Sequence, residues 1–174
     1  TVFGSGANVV IDPTTIDNVD VANNLATTVR NLPYIGQSTN IAQGLVDTAD
    51  AMHSSPNFSP DLKQAVNLVT DGAPNTASKL AECPAVSQEQ PYETAPPHTE
   101  CARNYLLNKL EMTEDKDELD SEFIGTQGST SNWLRDNIVY PQPGSYANLA
   151  TNTFEAGWVL VVPDADGFTS AVCT

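Results

Sequence analysis

Residues 64–72 read Gln-Ala-Val-Asn-Leu-Val-Thr-Asp-Gly, a short apolar strand that ends on an acid and a glycine. A compact apolar run of this kind belongs inside a parallel sheet, and parallel strands need long crossovers, usually helical. One such strand therefore points the whole chain toward an α/β architecture. It also locates the chemistry. In an open α/β sheet the binding crevice lies at the C-terminal ends of the strands and at helix starts. Here Asp71 is the carboxylate, and Ser38-Thr39-Asn40 opens a helix upstream.

The flanking residues predict an alternation of elements. Residues 1–6 and 7–12 read as two strands around a glycine-bearing turn, a hairpin that Pro13 closes. Asp17 or Asn18 is placed to cap a helix in which Val21, Leu25, Val29 and Leu32 recur on one buried face, and Pro33 ends it. A second helix starts at Ser38 or Thr39 and carries Ile41, Leu45, Ala49 and Met52 at helical spacing, with Gln43, Asp47 and Asp50 turned outward. After the strand at 65–70 come an irregular stretch at 84–97, a helix marked by Ala102, Tyr105, Leu106, Leu107 and Leu110, and a strand at 119–125. A short helix at 131–136, coil at 141–152 and a last strand at 157–162 complete the chain. The order ββααβαβαβ predicts a mostly parallel sheet with helices on both faces. With 174 residues and 40% hydrophobic content, the chain is sized for one core. It reads as a single domain over 1–174 with an irregular insertion at about 82–99.

Charge narrows the partners. Twenty-two acidic residues against seven basic ones give a net charge of −15, which repels nucleic-acid phosphates and anionic membrane surfaces. Nucleic acid is not expected as a partner. Nor is membrane insertion, because no apolar run reaches the roughly 18 residues of a spanning helix. Cys83 and Cys101 bracket a Pro-, Glu- and Gln-rich loop that packing alone holds poorly, so a disulfide between them is expected, placing the chain outside the cytosol. Three reduced thiols are the alternative. Cys173 is left over, either free or paired with another segment or chain. Asn57-Phe58-Ser59 matches a glycosylation acceptor, a triplet common by chance.

The segment Ser38-Thr39-Asn40-Ile41 with Gly44-Leu45, followed by Leu68-Val69-Thr70-Asp71-Gly72, resembles the second and third segments of a von Willebrand factor type A domain. Val2-Phe3-Gly4-Ser5 with Val9-Val10-Ile11 is similar to that family's second and third strands. The resemblance spans about residues 1–162, closely up to Asp71 and loosely beyond. It implies a three-layer Rossmann-like fold and a metal-ion-dependent adhesion site, where Mg²⁺ (or Ca²⁺ or Mn²⁺) is shared with a partner's carboxylate. By that resemblance Thr39 is the threonine ligand and Asp71 the second aspartate, with Ser38 a weaker candidate. All three offer the oxygen donors that a hard cation prefers. The family's first segment, an Asp-x-Ser-x-Ser loop after a central strand, is not found in these residues. The nearest stretch, 159–170, has Pro163 interrupting the strand and Asp166 and Phe168 at the serine positions. The resemblance therefore implies a sheet whose first central strand comes from an upstream segment or is donated by another chain. A cation is expected only when that segment is supplied.

Two functions follow from this reading. One is a secreted or cell-surface adhesion module that grips a protein ligand through the cation. The other is a structural subunit of a filament, pilus or matrix assembled by strand complementation, to which the spare Cys173 is suited. An enzyme is not expected: there is no Gly-x-Ser-x-Gly elbow, no phosphate-cradling loop and no His-Glu-x-x-His pair. An acid at a strand end does serve as nucleophile or metal ligand in some hydrolases, but Asp71 has no partner base in the sequence. Taken singly, Thr39 is an ordinary helix cap and Asp71-Gly72 an ordinary turn. His53 and His98 read as solvated. The acid run Asp115, Asp117, Glu118, Asp120 and Glu122 reads as a solvated face, and Trp133, Tyr140 and Tyr146 as packing a Pro-rich coil onto the core.

Overall fold

The computed structural model describes residues 1–32, 38–76, 80–84, 91–142, 145–151, 153–154, 156–164 and 166–167, with the backbone alone at 91–94. The elements are β1 (Val2–Phe3), β2 (Ala7–Asn8), α1 (Val19–Arg30), α2 (Ile41–His53), β3 (Ala65–Thr70), α3 (Pro91–Lys109), β4 (Glu118–Ile124), α4 (Ser129–Trp133) and β5 (Val159–Val162). A π-helical turn, Leu134–Ile138, continues α4. The protein is mixed α/β in the expected order. β1 and β2 form an antiparallel hairpin, and β3, β4 and β5 form a separate parallel sheet in that order. The chain divides into two compact units, one of residues 1–58 and 74–106, the other of 59–73 and 107–174.

In the first unit α2 carries the core, burying Ile41, Ala42, Leu45, Val46 and Ala49. Gly44 allows the hairpin to approach: a Cβ there would stand 3.0 Å from the Phe3 ring. The cap of α2 is Asn40, not Ser38 or Thr39. Its buried side chain accepts from the Gln43 N–H at 3.2 Å and donates to the Ser5 carbonyl at 3.3 Å, while its N–H donates to the Gly4 carbonyl at 2.9 Å. A hydroxyl side chain accepts the first bond equally well. An amide can also donate, which lets one residue cap the helix and fasten the hairpin.

Three further expectations for this unit are corrected. α1 is capped by Asn18, as expected, but has no buried residue, and Val29 of its apolar stripe is 55% exposed. Pro33 lies outside the described residues. α3 begins at Pro91, inside the stretch read as irregular, and runs through Pro96 and Pro97. Proline at a first helical position is pre-organised for the turn, so Pro91 marks a start that proline content concealed. His98, expected to be solvated, is buried in α3. Cys83 and Cys101 stand at disulfide distance, 2.10 Å between sulfurs, and Tyr105 of α3 donates to Asp50 of α2 at 2.6 Å.

In the second unit β3 and β4 pair from Ala65↔Glu118 to Thr70↔Phe123, and β4 and β5 from Ser121↔Val159 to Ile124↔Val162. One face of the sheet carries Val66, Leu68, Leu119, Phe123 and Val159, all buried. Tyr140 leaves the π turn to bridge Leu119 in the lane that β5 then occupies. The coil beyond is fastened as expected, Tyr146 donating to Asn132 of α4 at 2.7 Å. Gly157 opens β5 with φ +68°, and a Cβ there would lie 1.7 Å from the Pro141 carbonyl oxygen.

Asn40→Ala should lower the unfolding free energy by about 2 kcal/mol, because it removes a cap and strands the Ser5 carbonyl. Ser38→Ala and Thr39→Ala should each change it by less than about 0.5 kcal/mol. Urea titrations of the three variants check the assignment of the cap.

Candidate functional site

β4 reads Glu-Leu-Asp-Ser-Glu-Phe-Ile, with Glu118, Asp120 and Glu122 at alternate positions between Leu119, Ser121 and Phe123. A strand turns successive side chains to opposite faces, so Leu119, Ser121 and Phe123 enter the apolar face while Glu118, Asp120 and Glu122 line the other. The acid run is thus not a solvated face. Asp117, Asp120 and Glu122 are all buried. Across the parallel ladder the three carboxylates of β4 are in register with Ala65, Asn67 and Val69.

Each acid in this row is handled differently. Glu118 is neutralised by Lys63, whose ammonium lies 2.5 Å from its carboxylate. Asp120 accepts from the Trp158 N–H at 3.1 Å. Burial, and then the neighbouring Glu118 charge, push its pKa up to about 7 against the pull of the Trp158 and Gly157 amides and Lys63. Glu122 accepts from the Asn67 side-chain amide at 2.7 Å through one oxygen. Its other oxygen, Oε2, is buried and has no hydrogen-bond partner among the described residues.

The same register exposes an edge. In a parallel ladder alternate residues send their N–H and C=O groups to the same neighbour. Glu118 N–H donates to the Gln64 carbonyl at 3.0 Å, so the even-numbered residues of β3 address β4. Ala65, Asn67 and Val69 then direct their backbone groups away from it, and no backbone partner receives them among the described residues. Ala65 and Asn67 are also exposed on the carboxylate face.

The two expected metal ligands fall in different units. Thr39 is half-buried in the first, where its N–H donates to Asn75 Oδ1 at 2.7 Å and its carbonyl accepts from the Asn75 N–H at 3.1 Å. Ser38 precedes it, also half-buried. Asp71 is exposed just beyond β3 in the second unit, where Thr70 Oγ1 closes a turn on Gly72. Among the described residues no three His, Cys, Asp or Glu side chains group closely enough to hold a metal ion. The first unit also contains a cavity of about 520 Å³ between Val9, Pro13, Asp47, Asp50 and Pro56. Asp12 also lines it; of the two acids on α2, Asp47 is held by the Gln43 amide and Asp50 by the Tyr105 hydroxyl.

The raised pKa of Asp120 has a measurable sign. Between about pH 4 and 7 the folded protein holds a proton that the unfolded chain releases. This contribution to stability is complete below about pH 4, shrinks as pH rises, and is gone above about pH 7. Urea stability should therefore fall between pH 4.5 and 8, and Asp120→Asn should flatten that fall. An unchanged slope in the variant would place the proton on another group.

No protein-family model matches this chain, and neither a curated protein nor a solved structure proves similar to it.

Proposed function

We propose that this chain is a protein-binding module of the von Willebrand factor type A kind, working outside the cell, with its parallel sheet completed beside β3 by a strand from another segment or chain. The outer edge of β3 carries this reading. The N–H and C=O groups of Ala65, Asn67 and Val69 form an open ladder, and an extended segment that pairs with it gains main-chain hydrogen bonds. The hairpin, the order of the three parallel strands and the Thr70-Asp71-Gly72 turn support the family likeness. The Cys83–Cys101 pair supports an oxidising compartment. Among the described residues no helix is long and apolar enough to cross a membrane. When a neighbouring subunit supplies the strand, the same edge makes the chain a building block of a filament, pilus or matrix.

Amide hydrogen exchange tests this reading on the protein alone and in the assembly recovered from its native surface. The amides of Ala65, Asn67 and Val69 should exchange freely alone and about 100-fold more slowly in the assembly. Equal rates in the two states would overturn it.

A second reading, adhesion through a divalent cation, is favoured by the exposed Asp71 carboxylate at the C-terminal end of a parallel strand. Asp71 is a donor of the right kind for Mg²⁺, Ca²⁺ or Mn²⁺. It supplies too few ligands by itself, because Mg²⁺ asks for about six oxygens; the remainder would come from the completing segment and a partner's carboxylate. Calorimetry with MgCl₂ and MnCl₂ should show binding only when a peptide bearing a strand and Asp-x-Ser-x-Ser is added, and Asp71→Ala should abolish it. Absence of binding with the peptide present would end this reading.

A further inference from the structure

Three places in the molecule invite a ligand beyond what has been assigned: the cavity beside α2, the exposed apolar stripe of α1, and the carboxylate face of the β3–β4–β5 sheet. In the first, Asp47 and Asp50 are engaged by Gln43 and Tyr105 and nothing among the described residues aims an unmet polar group into the space, and nothing indicates what covers the second. The third combines a row of acids with an unmet requirement.

That requirement belongs to Glu122. Its Oε1 is held by Asn67, so the carboxyl group leans from β4 toward β3. Its Oε2 is buried without a partner among the described residues, although the side chain is 94% removed from water. A buried carboxylate oxygen in that state is costly unless a donor or cation reaches it. On the same face Asp120 and Glu118 follow at two-residue intervals, a spacing of about 7 Å along the strand. The one cation of the row, Lys63, is taken up by Glu118. Lys63 also shows how the row is served, by a long side chain that reaches across from the β3 lane to a carboxylate on β4.

A strand added outside β3 has the same two-residue period. Its alternate side chains would lie beside Asn67, which is exposed, and Val69, which is half-buried, the β3 residues in register with Asp120 and Glu122. We propose that the strand completing the β3 edge carries Lys or Arg at alternate positions, and that their cationic ends meet Asp120 and Glu122. This rests on the strand-completion reading and adds the chemistry of the partner. None of these 174 residues supplies such a strand. The basic residues are Arg30, Lys63, Lys79, Arg103, Lys109, Lys116 and Arg135, and no two of them are separated by a single residue. A second copy would also bring a further −15 of charge to the contact. Burial first, and then the Glu118 charge, raise the Asp120 pKa to about 7.

Fluorescence anisotropy with labelled eight-residue peptides tests this on the 174-residue protein: alternating Val-Lys, alternating Val-Gln, alternating Val-Glu, and a block peptide with four lysines followed by four valines. The alternating Val-Lys peptide should bind about tenfold more tightly than Val-Gln and than the block peptide, and Val-Glu should bind least. Glu122→Gln combined with Asp120→Asn should erase the Val-Lys preference, with circular dichroism confirming the fold. Hydrogen exchange in the Val-Lys complex should slow the amides of Ala65, Asn67 and Val69. Equal affinity of Val-Lys and Val-Gln with those amides protected would overturn the basic-strand proposal and leave strand completion standing. Equal affinity of the alternating and block lysine peptides would reduce the binding to net charge and overturn it too. Protection of those amides by no peptide would remove the strand-completion reading itself.

Discussion

The second unit depends on one buried carboxylate. Asp117 accepts the Gln64 N–H at 2.7 Å with one oxygen and the Thr113 N–H at 2.7 Å with the other, and the Lys116 ammonium lies 3.3 Å away. Burial alone would raise its pKa, but these donors outweigh that effect and hold the carboxyl below its ordinary range. Gln64 precedes β3 and Asp117 precedes β4, so this contact sets the register Ala65↔Glu118 from which the rest of the ladder follows. A slip of one residue would turn Glu118, Asp120 and Glu122 onto the face that holds Leu68 of β3 and Val159 of β5. The anchor thus decides which face is apolar and which is acidic.

Some of this architecture is legible in the amino-acid order. β3, α2 and β5 are apolar runs or stripes whose burial is decided by their own residues, and Cys83 and Cys101 bracket a loop too polar to hold itself. The acidic segment is harder. The strand over 119–125 is legible, yet counted as a composition the acids from Asp115 to Glu122 read as a solvated face; read with a period of two, Glu118, Asp120 and Glu122 share one face of β4. The clue is the alternation with Leu119, Ser121 and Phe123, and charge content hides it. α3 is masked for a related reason, since Pro96 and Pro97 discourage a helix that the buried Ala95, His98, Thr99 and Ala102 nonetheless hold in place. The cap of α2 needed tertiary knowledge, because only the Ser5 and Gly4 carbonyls distinguish Asn40 from Ser38 and Thr39. Val29 fails in the opposite sense. Its helical spacing is correct, yet spacing specifies which residues share a face and leaves open whether anything covers that face.

The edge of β3 and the acids of β4 are best understood together. Exposed strand edges invite pairing with any chain, and natural proteins discourage this with charges, prolines, bulges or covering elements. β3 has no proline, and its outward residues Ala65, Asn67 and Val69 carry no charge. The acids lie one strand further in, Glu118 paired with Lys63 and Asp120 and Glu122 buried, so an approaching strand meets them only across β3. A second copy, at −15, meets repulsion along that approach, whereas a segment with alternate cations meets a complementary row. Specificity is a difference between affinities, and an acid row set behind an open edge enlarges it from both sides. Glu122 Oε2, buried without a partner among the described residues, works in the same direction, since a group that is costly when alone and satisfied when joined adds to the binding free energy.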